Sequence, residues 1–435
     1  MERFALSRMK EWKENENRKP LIIRGARQVG KTWIMKTFGQ QYFEKTAYVN
    51  FDNNARMKQV FEGDLDIERL VLAISAETGV SIEAENTLII FDEIQEVPKA
   101  LTSLKYFHEN APQYAIVAAG SLLGVALHQG TSFPVGKVDF LDLYPLNFRE
   151  FLCAMGEKQF VSMLDSCDTQ MVTVFKTKYI ERLREYYFVG GMPEVVKDFS
   201  EKKDYNRVRA IQKNLINYYQ QDFSKHAEIK LVPRLNLVWN SIPMQLAKEN
   251  KKYIYGQVRE GSRAKDFELA IQWLLDCGLI HKVQRIQKPD LPLKAYIDFD
   301  AFKLFLVDIG LLIAMTDLDA KVIIEGNKIF TEFKGSLTEQ YILQQLISDV
   351  GVIPYYYSTQ NSKGEIDFLV QGKTSVIPIE VKAEENLKAK SLKAFCEKHQ
   401  PSYAVRTSMS DYREQDWMTN IPLYAIKWIE NYVNQ

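Results

Sequence analysis

The stretch from Pro20 to Trp33 constrains this chain more than any other. An apolar run, Leu21-Ile22-Ile23, enters the loop Gly25-Ala26-Arg27-Gln28-Val29-Gly30-Lys31-Thr32, and a helix is expected from about Lys31. This is the G-x-x-x-x-G-K-[ST] spacing in the strand, loop and helix setting that gives it meaning. Glycines at 25 and 30 let the backbone curl so that successive N–H groups aim at phosphate oxygens, and the helix start adds partial positive charge. Residues from Gly25 to Trp33 are therefore expected to cradle a nucleoside triphosphate. Lys31 reaches its β- and γ-phosphates, and Thr32 offers a hydroxyl to Mg²⁺. By average residue usage the four fixed positions arise by accident in roughly one or two chains per hundred of this length.

A second apolar run completes the site. Thr87-Leu88-Ile89-Ile90-Phe91 ends in Asp92-Glu93, the pattern of a buried strand that delivers two carboxylates to a nucleotide. Asp92 is expected to hold the Mg²⁺ through water, and Glu93 to polarise the attacking water. Thr46 to Phe51 and Tyr114 to Ala119 read as further strands, and helical patterns separate them. Such alternation predicts a parallel sheet covered on both faces. The last of these strands ends in Gly120-Ser121, where strand tips meet ligand, so Ser121 is a candidate sensor of the γ-phosphate.

The 56 Lys and Arg residues balance 56 Asp and Glu, so no global attraction to nucleic acid or membrane is expected and any basic surface is local. No apolar run approaches the ~18 residues of a membrane span. The first twenty residues are charged and lack a signal-peptide core, so a cytoplasmic protein is expected. Cys153, Cys167, Cys277 and Cys396 have no metal-ligand spacing, which fits a reducing compartment without disulfides or structural zinc.

Further along, the chain has the proportions of a winged helix. Helical patterns at Leu235 to Glu249, beyond Tyr255, and at Lys265 to Cys277 precede two short strands, Leu279 to Val283 and Lys294 to Ile297. Lys251, Lys252, Arg259, Arg263 and Lys265 cluster around the expected recognition helix, which suits either DNA contact or a purely architectural module. From Phe333 a helix carrying Glu339 precedes two apolar strands, Glu365 to Val370 and Ser375 to Lys382, joined at Gln371-Gly372-Lys373. Strict strand alternation puts Glu380 and Lys382 on one face and lets Asp367 converge on them. Two carboxylates and an ammonium suit a hard divalent ion and phosphodiester hydrolysis, with Lys382 stabilising the transition state. A surface ion pair between Glu380 and Lys382 has the same letters.

Several of these segments, together with Gly120-Ser121-Leu122-Leu123, Leu143-Tyr144-Pro145-Leu146 and Phe148-Arg149-Glu150-Phe151, resemble a bacterial AAA+ ATPase near the STAND and archaeal-ATPase branches. The resemblance covers nearly the whole chain. It implies ATP as the nucleotide with Mg²⁺, ATP hydrolysis, and room for oligomeric assembly. It matches Ser121 to the sensor position, and puts Lys137 in the loop where relatives often carry arginine. Gly191-Met192-Pro193 resembles the turn of a helical lid subdomain, although an interhelical turn fits equally. The tail resembles the PD-(D/E)XK nuclease core, with Glu339 matching the helix carboxylate, Asp367 the first-strand acid, and Glu380 and Lys382 the Glu-x-Lys pair; Ile366 stands where the name has proline. That match implies Mg²⁺ or Mn²⁺ held by Glu339, Asp367 and Glu380.

The expected fold is α/β. An AAA+ P-loop domain at 1–155 leads to a helical lid at 156–233, a winged helix at 234–332 and a PD-(D/E)XK-like domain at 333–435. The expected function is an ATP-controlled, DNA-directed switch with a metal-dependent nuclease-like tail and no membrane partner. The competing expectation is a regulatory ATPase whose tail is catalytically inactive and only binds nucleic acid or protein.

Overall fold

The alternating apolar runs of the N-terminal part form a five-stranded sheet. Its elements, in chain order, are α1 (Ala5–Glu14), β1 (Leu21–Arg24), α2 (Lys31–Tyr42), β2 (Lys45–Asn50), α3 (Ala55–Glu62), α4 (Ile67–Thr78), β3 (Thr87–Asp92), α5 (Pro98–Asn110), β4 (Ala115–Ala119) and β5 (Asp139–Asp142). The strand order is β2-β3-β4-β1-β5, with every pair parallel. The computed structural model describes the chain except residues 1, 121–132, 249–250, 325–330, 360–363 and 386–388, and the side chains of 331 and 332. Two compact units are present, residues 2–144 with 276–279, and residues 145–275 with 280–435.

In the first unit β3 and β4 are buried along their whole length, as strands covered by helices on both faces must be. Phe51, Phe61 and Phe91 meet edge to face with centroids 5.4–5.7 Å apart and anchor the core on one side of the sheet. Local chemistry sets the helix ends. Asp66 caps α4 by accepting from the Arg69 N–H, and Gly79 ends it in the left-handed region.

The second unit contains α6 (Phe148–Ala154), α7 (Lys158–Asp165), α8 (Thr169–Val174), α9 (Lys176–Val189), α10 (Pro193–Lys202), α11 (Tyr205–His226), α12 (Val232–Leu246), α13 (Tyr255–Val258) and α14 (Ala264–Asp276). The hairpin β6 (Ile280–Ile286) and β7 (Ile297–Leu306) follows, then α15 (Ile309–Met315), α16 (Ala320–Ile324) and α17 (Thr331–Gln345). The tail comprises β8 (Tyr355–Ser358), β9 (Glu365–Gln371), β10 (Val376–Val381), α18 (Lys390–His399), β11 (Val405–Ser408), β12 (Arg413–Gln415), β13 (Met418–Pro422) and α19 (Glu430–Val433).

The boundary expected between 332 and 333 does not separate two sheets. β6 pairs in parallel with β8, so the hairpin and the tail share one eight-stranded sheet of order β12-β13-β11-β10-β9-β8-β6-β7. The physical reason is edge coverage, since each piece alone would leave an unpaired strand edge.

The turn at Gly190-Gly191-Met192-Pro193 is fixed by buried polar groups. Asp308 accepts from the Gly191 N–H at 2.6 Å, from the Leu311 N–H at 3.1 Å and from Gln344 Nε2 at 3.3 Å. Burial pushes the Asp308 carboxyl up to about 6 despite these donors. The Leu146 N–H donates to the Gly191 carbonyl, and a Cβ on Gly191 would lie 2.1 Å from the Leu146 oxygen, so only glycine fits. No helix among the described residues is long and apolar enough to cross a membrane.

Candidate functional site

β1 sits between β4 and β5, and the chain leaves its end through Gly25 at φ 147° and Gln28 at φ 65°, reaching Gly30 at φ 94° as the N-cap of α2. A Cβ on Gly25 would lie 2.1 Å from the Leu143 carbonyl oxygen, which explains that glycine sterically. Ala26 and Val29 are buried beneath the loop, and the Val29 carbonyl accepts from Arg3 Nη1 at 3.0 Å. Arg3 also reaches the Tyr144 carbonyl, tying the start of the chain to the loop. Arg27 lies close enough to Lys31 to oppose its charge, whereas Trp33 is 42 % exposed on α2.

Lys31 is buried, and its Nζ donates to the carbonyls of Gly25 at 2.9 Å and Ala26 at 2.8 Å. Burial lowers it to about 8; Glu93 and Asp92 pull the other way, and Arg27 adds to the lowering. Thr32 Oγ1 donates to Asp92 Oδ2 at 2.7 Å, bringing the two residues expected to serve Mg²⁺ into contact from α2 and β3. These are hard oxygen donors, and with its proton directed at Asp92 the Thr32 oxygen keeps lone pairs for a cation, so the pair fits Mg²⁺. Tyr48 Oη donates to the same Asp92 oxygen at 2.9 Å, a partner that sequence reasoning missed. Its only signal was its place on β2, in register with Ile90.

Glu93 follows the strand with φ 51° and ψ 43°, a left-handed conformation that is costly for a non-glycine residue. That turn sets its carboxylate apart from the strand, where Gln95 Nε2 donates to it at 2.7 Å. Ser121 lies outside the described residues. Lys137 forms an ion pair with Glu109 at 2.9 Å.

Of the C-terminal acids, Glu339 and Asp367 share a hydrogen bond, whereas Glu380 pairs with Lys382. Glu339 on α17 is buried, ion-paired by Lys251 and 3.7 Å from Lys303, and Lys303 also pairs with Glu365. Burial opposes the Glu339 charge, but Lys251 and Lys303 outweigh it and hold the carboxyl below its ordinary range. Asp367 is pushed up to about 7 by burial and by neighbouring Glu339, against Lys303 and Lys251. Its Oδ2 accepts from the Val381 N–H at 2.7 Å. Glu380 pairs with Lys382 at 2.7 Å and acts electrostatically on Cys396 of α18 and Arg406 of β11.

Among the described residues no three His, Cys, Asp or Glu side chains gather as a metal set; Asp367 lies against Glu339, and Glu380 against Lys382. Next to Asp367 the β8–β9 pairing is irregular: Tyr355 stands opposite Leu369 but Tyr357 opposite Ile366, so β9 carries one residue more than β8 across that interval. Lys251, expected in a basic surface cluster, is consumed by Glu339, its side chain 12 % exposed.

Residues 17–152 match the family model described as an AAA domain. The first unit carries an AAA-type P-loop ATPase domain. Residues 180–322 match a domain of unknown function (DUF8612), and residues 334–426 another (DUF4143). No curated protein matches the sequence. Among solved structures, a Walker-type ATPase of Pyrococcus abyssi is similar at 15% identity and TM-score 0.44, over 72% of this chain and 95% of that one. The Orc1 protein of Aeropyrum pernix, solved with DNA, is similar at 13% identity and TM-score 0.27, over 72% and 91%. The RuvB Holliday junction branch migration motor of Thermotoga maritima is similar at 13% and 0.29, over 64% and 87%. The AAA domain thus coincides with the parallel sheet and with the loop that holds Lys31 and Thr32.

Proposed function

We propose that this chain binds and hydrolyses ATP in its AAA domain and uses the cycle to switch a DNA-directed module, with the C-terminal domain binding nucleic acid or protein rather than cutting. The observation that carries the ATP reading is the contact of Thr32 Oγ1 with Asp92 Oδ2 beside the buried ammonium of Lys31. In this reading the amides from Gly25 to Trp33 orient the triphosphate, and Lys31 neutralises charge on the transferred phosphoryl group. Thr32 and Asp92 would hold Mg²⁺, which supplies Lewis-acid charge stabilisation when bound. Glu93 accepts the proton of the attacking water, with Gln95 orienting its carboxylate. Ser121 is retained as the proposed γ-phosphate sensor.

The DNA-directed part rests on residues 234–332. The order α12, α13, α14, β6 and β7 suits a winged helix, and the Tyr253 N–H donates to the Phe302 carbonyl of β7 at 2.8 Å, docking the segment before α13 onto the hairpin. Arg259, directly after α13, Arg263, directly before α14, and Lys265 in the first turn of α14 are exposed. The tail's nuclease-like reading draws support from its antiparallel β9–β10 hairpin and the upstream helix with Glu339. The lysines on Glu339 favour binding over cleavage.

The test is Glu93→Gln, which should retain ATP and lose turnover by about a hundredfold or more; undiminished turnover refutes the assignment. Plasmid incubated with ATP and Mn²⁺ should not be nicked, and nicking abolished by Asp367→Ala would restore the cutting reading.

A further inference from the structure

Three elements converge on Glu339. Lys251, from the segment between α12 and α13, is ion-paired to Oε1, and Lys303 of β7, its side chain fully buried, lies 3.7 Å from Oε2 and pairs with Glu365. Asp367 of β9 shares a hydrogen bond with the same carboxyl. The ring of Tyr356 lies 4.8 Å from the Lys303 Nζ, adding a cation–π contact to its ion pairs. A buried ammonium so surrounded stays charged, and the carboxylates around it raise its pKa against burial.

A divalent ion would bring two positive charges to these acids, and the two ammonium groups already bring two. A metal added here would meet like charges in a low-dielectric setting, where repulsion is weakly screened. The third acid such an ion would need, Glu380, has Oε1 engaged with Lys382, while its buried Oε2 has no hydrogen-bond partner among the described residues. We propose that Lys251 and Lys303 take, as fixed ammonium groups, the place of a divalent cation, so that the C-terminal carboxylate pocket is closed to metal. The proposal rests on the nuclease-like reading of residues 333–435.

The test uses the full chain carrying Asp92→Asn, without nucleotide, so that the AAA domain contributes no metal. Mn²⁺ is titrated by electron paramagnetic resonance, and Lys251→Met, Glu339→Gln and their combination are compared by thermal melting. The proposal expects no stoichiometric Mn²⁺ at millimolar concentration, and a double variant that melts no lower than the worse single one. A bound Mn²⁺ equivalent that Glu339→Gln removes overturns the proposal and leaves the nuclease-like reading standing. Absent Mn²⁺ with strictly additive melting losses overturns both, because the ion pairs that define the pocket would not form. Should Lys251→Met not fold, Mn²⁺ binding by the otherwise native chain decides alone.

Discussion

Lys31 makes ATP affinity depend on pH in a calculable way. Its ammonium is lowered from 10.5 to about 8 chiefly by burial among carbonyls. A triphosphate placed against it supplies negative charge and returns its pKa toward the ordinary value. Binding therefore takes up a proton above pH 8, and each pH unit between the free and bound values weakens affinity by up to about 1.4 kcal/mol. With about 8 free and about 10.5 bound, the dissociation constant should rise roughly twentyfold from about pH 7.5 to about pH 9.5. Below the free value both states are protonated and affinity is flat. Calorimetry with Mg²⁺ and ATP in buffers of different ionisation enthalpy measures both the constant and the proton uptake. Lys31→Arg, which stays charged across this range, should bind more weakly but without the alkaline decline. A wild-type constant that is flat to pH 9.5, with no buffer-dependent heat, refutes the argument.

Three further expectations follow from the second unit. Asp308, raised from 3.8 to about 6, contributes stability that is fully present below the unfolded value and is lost as pH rises through 6. Its share of the loss between about pH 4.5 and about pH 7 is roughly 2 kcal/mol, which urea unfolding of the wild type should reveal and Asp308→Asn should remove. Gly191→Ala must displace the Leu146 carbonyl and should destabilise the chain by about 3 kcal/mol or more in the same assay. Replacing Arg259, Arg263 and Lys265 with glutamine should weaken duplex binding and flatten its salt dependence by up to about three phosphate equivalents; an unchanged slope in a filter-binding series removes the DNA role of α14.

The N-terminal site was legible because its chemistry is local. Gly25, Gly30, Lys31 and Thr32 lie within one turn of chain, and the strand that ends in Asp92 announces itself by an unbroken apolar run. What the sequence hid there came through space. Tyr48 reaches Asp92 from a neighbouring strand, and Arg3 reaches Val29 from the segment before α1, 26 residues upstream. Neither residue type carries a spacing signal for such a role. The fold class was legible for the same reason as the site, since alternating strands and helices leave a parallel sheet few options.

In the tail, the partners of the acids come from beyond any local pattern. Glu339, Asp367 and Glu380 have the right letters in the right order, but a carboxylate's partner is decided by the strand pleat and by whatever approaches from elsewhere in the chain. Beside Asp367, β9 carries one residue more than β8, an irregularity that no letter in the sequence announces. Lys251 and Lys303 then arrive from segments 88 and 36 positions before Glu339, distances at which no motif can register them. The charges pair as a set, with buried Glu339 and half-buried Glu365 facing Lys251 and Lys303, which leaves Asp367 as the further acid. Burial first, and then neighbouring Glu339, push the Asp367 carboxyl up to about 7, while Lys251 and Lys303 hold Glu339 below its ordinary range. A carboxyl kept neutral by its neighbours can donate a hydrogen bond, and here it completes a closed cluster whose cations are part of the chain itself.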